Sequence, residues 1–140
     1  MALDFTEQNK SLTTEIIEDT ASFSDYINQT LNTAGALYGI GGYNEHRTVY
    51  ARSRVFDGVV EEQARCIHLG VDIWGKAGTQ VSAPLATTVH SFAFNEAYGD
   101  YGATIILSHQ IAGASFYSLY GHLALKDLDN LREGKFIHAG

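Results

Sequence analysis

The chain has 140 residues, of which 45% are hydrophobic and 18% are charged, and its formal net charge is −7. This length suits one domain with a hydrophobic core, and the composition is that of a soluble globular protein. The negative charge argues against nucleic acid and anionic membrane surfaces as partners, because both are bound mainly through Lys and Arg. No apolar run approaches the roughly 18 residues that a membrane helix needs.

The start of the chain gives no sign of export. Its first twenty residues lack a basic segment followed by an apolar one, so they do not resemble a secretory signal. The single cysteine, Cys66, cannot form an internal disulfide, and we expect a buried thiol. As written, the sequence predicts a cytoplasmic protein, and export would need an upstream segment.

The first 38 residues are predicted to form a helical arm that packs on the main domain. Phe23, Ile27 and Leu31 recur at every fourth position, which is helical spacing. Ser22 is the predicted N-cap, and Gly35 is the predicted stop beyond Leu31.

Residues 39–140 are predicted to form the main domain, which is mainly β. Thr48, Val49 and Tyr50 favour a first strand. Short β-rich runs follow from Gly78 onward, separated by glycine, proline, asparagine or aspartate: TQVSA, TTVHSFAF, ATIILSH and ASFYSLYGH. This pattern predicts an antiparallel sheet or sandwich, with a short helix at ALKDLDNL, 124–131.

The segment HLGVDIW, 68–74, places His68 and Asp72 four residues apart in a β-branched context. Four residues of straight strand span roughly 13 Å, too far for both side chains to reach one zinc ion at about 2 Å each. A shared metal therefore requires a bend, which Gly70 would allow. The residues Leu69, Val71 and Ile73 are predicted to form a core face. By itself the pair is consistent with a metal site or with a structural histidine.

Several linked motifs follow that segment: GKAGTQVSAPLATTV, the loop NEAYGDYG, the strand ATIILSH and then FYSLYGHL. In this order, from about residue 65 to 140, they resemble the lysostaphin-type, or LytM-like, zinc endopeptidases, which cut cell-wall peptides and have a duplicated hybrid motif fold. The resemblance implies that His68 and Asp72 are zinc ligands and that His122 is a catalytic histidine. In the strand SFYSLYGH, alternation places His122 on the face of Phe116, Ser118 and Tyr120.

Members of that family also carry an H-x-H motif on a later strand, which supplies another zinc ligand. This sequence ends at GKFIHAG, before any such motif, so we expect a truncated domain. Because a catalytic zinc normally has three protein ligands, we expect zinc binding to be weak or absent in this chain. The remaining histidines lack supporting spacing, and we expect packed, structural or exposed roles for them: His46, His90, His109 and His138.

Two functions from different classes remain open. The first is a zinc metalloendopeptidase domain that acts on peptidoglycan stem or cross-bridge peptides, with doubtful activity in this truncated form. The second is a catalytically silent module that binds a peptide or regulates a partner. A missing terminal strand would leave a sheet edge with unpaired backbone groups, so we also expect a homodimer formed through that edge.

Overall fold

The computed structural model of the protein describes residues 1–47, 67–97 and 99–140. The strand predicted at Thr48, Val49 and Tyr50 and the thiol of Cys66 lie outside the described residues. The described part is mainly β, as predicted. It divides into two compact units, 1–77 and 78–140. The predicted domain boundary after residue 38 stays a prediction.

The first unit contains two helices and five short strands within its described residues. The helices are α1 (Thr14–Glu18) and α2 (Thr20–Thr33). The strands are β1 (Ala2–Leu3), β2 (Gly39–Gly41), β3 (Glu45–His46), β4 (Ile67–His68) and β5 (Ile73–Trp74). One sheet has the order β1-β2-β5, with β1 and β2 parallel, and β3 pairs with β4 in a second sheet.

Helix α2 has the buried face that the sequence predicts. Phe23, Ile27 and Leu31 are all buried there. The predicted N-cap was wrong by three residues: the side chain of Asp19 accepts a hydrogen bond from the backbone N–H of Ser22 at 2.7 Å. A carboxylate before the first turn satisfies an unpaired helix donor as well as a serine does, so residue type alone does not favour Ser22 over Asp19. Gly35 follows the helix end with a φ of 61°, in agreement with its predicted role.

An aromatic cluster joins this helix to the sheet. The ring centroid of Trp74 lies 5.7 Å from that of Phe5 and 5.4 Å from that of Phe23, and Phe5 and Phe23 are 5.9 Å apart. Such tilted pairs add to the stability that comes from burying apolar area alone. The segment around β5 is therefore anchored by Trp74 to the core of residues 1–33.

The second unit is built on one sheet of order β8-β7-β6-β9. Its strands are β6 (Thr87–Asn95), β7 (Gly102–Ile111), β8 (Ala114–Leu123) and β9 (Phe136–Ile137). All neighbours are antiparallel, which confirms the predicted antiparallel sheet. Ala112 and Gly113, both with positive φ, form the two-residue turn of the β7–β8 hairpin.

Two local predictions differ from the structure, and one helix was not predicted. TQVSA, 79–83, contains no strand, and α1 was not predicted. The predicted helix at 124–131 is a single 3-10 turn, Leu125–Leu128. Each of these segments is short, so its pattern spans too few residues to separate a strand, a helix and a turn. Among the described residues, no helix has the length and apolar character needed to cross a membrane.

Candidate metal and catalytic residues

The chain bends at Gly70, between His68 and Asp72, as the metal hypothesis requires. β4 ends at His68 and β5 begins at Ile73, and these two strands belong to different sheets. A Cβ atom at Gly70 would lie 3.1 Å from Nε2 of His68, closer than an ordinary contact. The absence of a side chain at Gly70 therefore leaves the space that the imidazole of His68 occupies.

The prediction of a core face next to this bend was wrong. Leu69, Val71 and Ile73 are 67%, 57% and 73% exposed. Because the bend divides the segment into two strands of two residues each, alternation does not continue through it. Within this segment, Trp74 packs against the core of residues 1–33.

The bend brings the two predicted metal ligands together. Nε2 of His68 lies 3.6 Å from Oδ1 of Asp72, and their side chains are 17% and 29% exposed. Two ligands of a tetrahedral zinc ion, each about 2.0–2.2 Å from the metal, lie roughly 3.4 Å apart. An imidazole nitrogen and a carboxylate oxygen are both ordinary zinc donors, so the spacing and the chemistry of the pair fit one zinc ion.

The other oxygen of Asp72 belongs to a buried ion-pair network around Arg47. Nη1 of Arg47 donates to Oδ2 of Asp72, and Nε donates to Glu45 at 2.7 Å. Arg47 is 5% exposed, and its guanidinium carbon lies 5.0 Å from the ring centroid of Phe5. A buried guanidinium is tolerated only when it is paired in this way. Arg47 thus links residues of the N-terminal segment to the candidate ligand.

Glycine at position 41 makes the space for this network. A Cβ atom there would lie 2.7 Å from Nη2 of Arg47 and 3.4 Å from Cβ of Asp72. The backbone N–H of Gly41 also donates to the carbonyl oxygen of Asp72 at 2.9 Å. Strand β2 therefore approaches the bend at a position where any side chain would displace the guanidinium.

Sequence reasoning missed Arg47, although a signal was present. Glu45 and Arg47 are two residues apart, so in an extended segment their side chains share a face and their opposite charges can pair. Their partner Asp72 is 25 residues away from Arg47 in the chain. That long-range contact has no local pattern, which is why the network could not be predicted.

His122, the predicted catalytic histidine, lies at an irregularity of β8. In the β7–β8 register Tyr120 is opposite Ile105 and Leu123 is opposite Ala103, so the alternation shifts at Gly121-His122. His122 therefore does not continue the face of Phe116, Ser118 and Tyr120, as strict alternation predicted; Leu123 takes that position in the register. Bulges of this kind redirect side chains and are frequent near active sites.

The backbone of His122 is also in an unusual conformation. Its φ is 56°, in the left-handed region, and its N–H donates to the carbonyl oxygen of Tyr101 at 2.7 Å. The side chain is exposed. A residue other than glycine held in this region costs of order 1–3 kcal/mol, and such strain is concentrated at functional positions.

The structure thus brings together two of the three predicted site residues. His68 and Asp72 lie in the unit 1–77, whereas His122 lies in the unit 78–140. The convergence of His122 with the other two residues stays a prediction. Across the described ranges 1–47, 67–97 and 99–140, no group of three or more His, Cys, Asp or Glu side chains is arranged to hold a metal ion.

The four remaining histidines occupy either a packed or an exposed position. His109 is 1% exposed, stacks on Phe116 with a centroid distance of 4.7 Å, and has its Nε2 2.7 Å from Oγ of Ser118. It is a core histidine, one of the two roles expected for it. The other three are exposed: His46 on β3, His90 at a bulge of β6 beside Tyr117, and His138 beside Phe136.

Comparison with known protein families gives one match. Residues 66–140 match the model of peptidase family M23, and this segment is just over half of the chain. The chain belongs to peptidase family M23, so residues 66–140 form a peptidase-type domain, and the predicted LytM-like resemblance is confirmed. Members of this family are typically zinc-dependent. Searches of curated proteins and of solved structures each gave no match.

Proposed function

We propose that the chain is a zinc-dependent endopeptidase domain in which His68 and Asp72 hold the metal and His122 acts on the substrate. The observation that carries the proposal is the 3.6 Å separation between Nε2 of His68 and Oδ1 of Asp72 across the Gly70 bend. Four residues of straight strand could not give this separation. Membership of a peptidase family supports the same reading of the pair.

In this proposal each residue has a separate chemical task. His68 and Asp72 supply one neutral and one anionic ligand, and bound zinc supplies Lewis-acid chemistry at the scissile carbonyl. The imidazole of His122 donates a hydrogen bond to the oxygen on which negative charge develops, or transfers a proton to the substrate. The strained, exposed position of His122 on the bulge keeps its ring free of the sheet interior.

The substrate class in this proposal is a peptide of the bacterial cell wall, a peptidoglycan stem or cross-bridge, as the family resemblance implies. The described residues 1–47, 67–97 and 99–140 bring two ligands together, and a site with two protein ligands binds zinc more weakly than one with three. Activity is therefore best sought with zinc added to the assay.

The alternative is a catalytically silent module that binds a peptide or regulates a partner. One observation favours it: Asp72 already has a counter-charge, because its Oδ2 accepts from the buried guanidinium of Arg47. A structural ion pair would explain this aspartate without any metal.

Zinc uptake by ligand variants tests the proposal. We expect His68→Ala and Asp72→Asn to abolish zinc binding measured by isothermal titration calorimetry, and hydrolysis of peptidoglycan fragments to be lost with it. His138→Ala, which removes an exposed histidine beside Phe136, is the matched control and should bind zinc like the parent. Equal zinc uptake by the parent and both ligand variants would favour the silent module.

A further inference from the structure

We propose that Arg47 is a positioning residue for the metal pair, and that its guanidinium sets the affinity of the site for a divalent cation by holding the Asp72 carboxylate in one orientation. This inference rests on the proposed function, because it assumes that His68 and Asp72 bind a metal. It adds a residue outside the matched segment 66–140 to the site.

The two oxygens of the Asp72 carboxylate have different partners. Oδ2 accepts from Nη1 of Arg47, whereas Oδ1 lies 3.6 Å from Nε2 of His68. A carboxylate without the guanidinium could rotate about its terminal torsion, which has a broad energy profile. Arg47 therefore selects the orientation in which one oxygen is turned toward the histidine and remains available to a cation.

Arg47 is itself held from several directions. Its Nε donates to Oε2 of Glu45 at 2.7 Å, and Nη2 donates to the carbonyl oxygen of Gly42 at 3.4 Å. The ring of Phe5, which is 1% exposed, lies against the guanidinium. Glu45 in turn accepts from the backbone N–H of Phe5 at 3.4 Å. A side chain with this many fixed partners orients the carboxylate that it binds.

The positions of the contacts indicate that Arg47 supports metal binding by Asp72 and does not compete with the metal for its carboxylate. A guanidinium that competed with a metal would bind the oxygen facing the histidine, but Arg47 binds the opposite oxygen. Its positive charge lowers the general attraction of the site for cations, and its removal would relieve that repulsion. Removal would also leave Glu45 and Asp72 without their common partner. Loss of an outer-shell partner typically costs 10–100-fold in metal affinity, and we expect the orientation effect to dominate.

The test is a zinc titration of the full chain and its variants by calorimetry. We expect Arg47→Met to weaken zinc binding by about 10–100-fold and Arg47→Lys to recover part of the loss, since lysine restores the charge but not the planar fork. The matched control is Arg132→Met, which removes the same charge from an exposed position and should leave the affinity unchanged.

Two further measurements separate positioning from general stability. The absorption spectrum of the Co²⁺-saturated protein should change in Arg47→Met, because the ligand geometry changes; a role in stability alone would leave the spectrum of the loaded site unaltered. The near-UV signal of Trp74 shows whether Arg47→Met folds. If it does not fold, the zinc affinity of Glu45→Gln is measured in its place. That variant loosens Arg47 from one side, and we expect a smaller loss of zinc affinity in the same direction.

The outcomes distinguish this inference from the proposed function. If the parent binds zinc, and Arg47→Met and Glu45→Gln bind it with equal or higher affinity, the proposed role of Arg47 is wrong. The assignment of His68 and Asp72 as metal ligands would then still stand. If the parent itself binds no zinc, the proposed function is wrong and the positioning role is wrong with it.

Discussion

Individual residues of this protein carry conformations and contacts that their types alone would not suggest. His122 occupies the left-handed region with a φ of 56°, where a side chain is disfavoured by roughly 1–2 kcal/mol. Asp72 is shared between a buried arginine and a histidine. In both cases the surrounding structure, through the Tyr101 carbonyl or the Arg47 network, holds the residue in place.

The strain at His122 can be measured by comparing two substitutions that both remove the imidazole. We expect His122→Gly to be more stable than His122→Ala by about 1 kcal/mol, since glycine adopts positive φ without steric cost. Both variants should lose peptidase activity equally. The measurement is the free energy of unfolding in urea, and equal stabilities would mean that the residue is not strained.

Strands and helices were predictable where a pattern extended over many residues. The apolar face of α2 and the long strands β6, β7 and β8 follow from periodicity. The strands β1 to β5 have two or three residues each, and β1 pairs with a strand almost forty residues later. Their existence depends on long-range pairing, which no local window contains. The bend at Gly70 was predictable on the condition that His68 and Asp72 share a metal ion. The bulge at His122 also had a local signal, the isolated glycine Gly121 within a strand pattern, which the prediction of strict alternation did not use.

The close approach of strand β2 to the bend at Gly70 predicts the effect of a substitution in that strand. Gly41→Ala should destabilise the protein by about 1–3 kcal/mol, because the added methyl group displaces the buried guanidinium of Arg47. Gly42→Ala is the matched control, since a Cβ there would meet its nearest neighbour, Oε1 of Glu45, at an ordinary 3.4 Å. Thermal unfolding followed by circular dichroism compares the two. A similar midpoint for both variants would contradict the tight packing at Gly41.

At the scale of the molecule, the sheet of residues 78–140 has an accessible edge within the described residues. β8 pairs there with β7 on one side, and its apolar residues Tyr117 and Leu119 are 60% and 49% exposed. An edge strand with unpaired backbone groups can pair with a second chain. The predicted homodimer through an open sheet edge stays a proposal. Among the described residues this sheet has two edge strands, β8 and the two-residue β9, and we propose the longer one, β8, as the element that forms the dimer.

Light scattering at high micromolar concentration tests that dimer. We expect the parent to be dimeric and Leu119→Lys to shift it toward the monomer, because a charged side chain on an edge strand opposes pairing between chains. Leu37→Lys introduces the same charge at an 82% exposed leucine of the other unit and should leave the mass unchanged. A monomeric parent would contradict the proposal.

The arginine network also affects how a minimal form of this peptidase domain should be chosen. The family match begins at residue 66, but the carboxylate of Asp72 is paired with Arg47. Arg47 in turn is paired with Glu45 and lies against the ring of Phe5. A recombinant fragment trimmed to the homologous segment would discard this scaffold while retaining both candidate ligands. If such a fragment bound no zinc, the loss of Arg47 and its partners would explain the result. The result would not count against His68 and Asp72 as metal ligands.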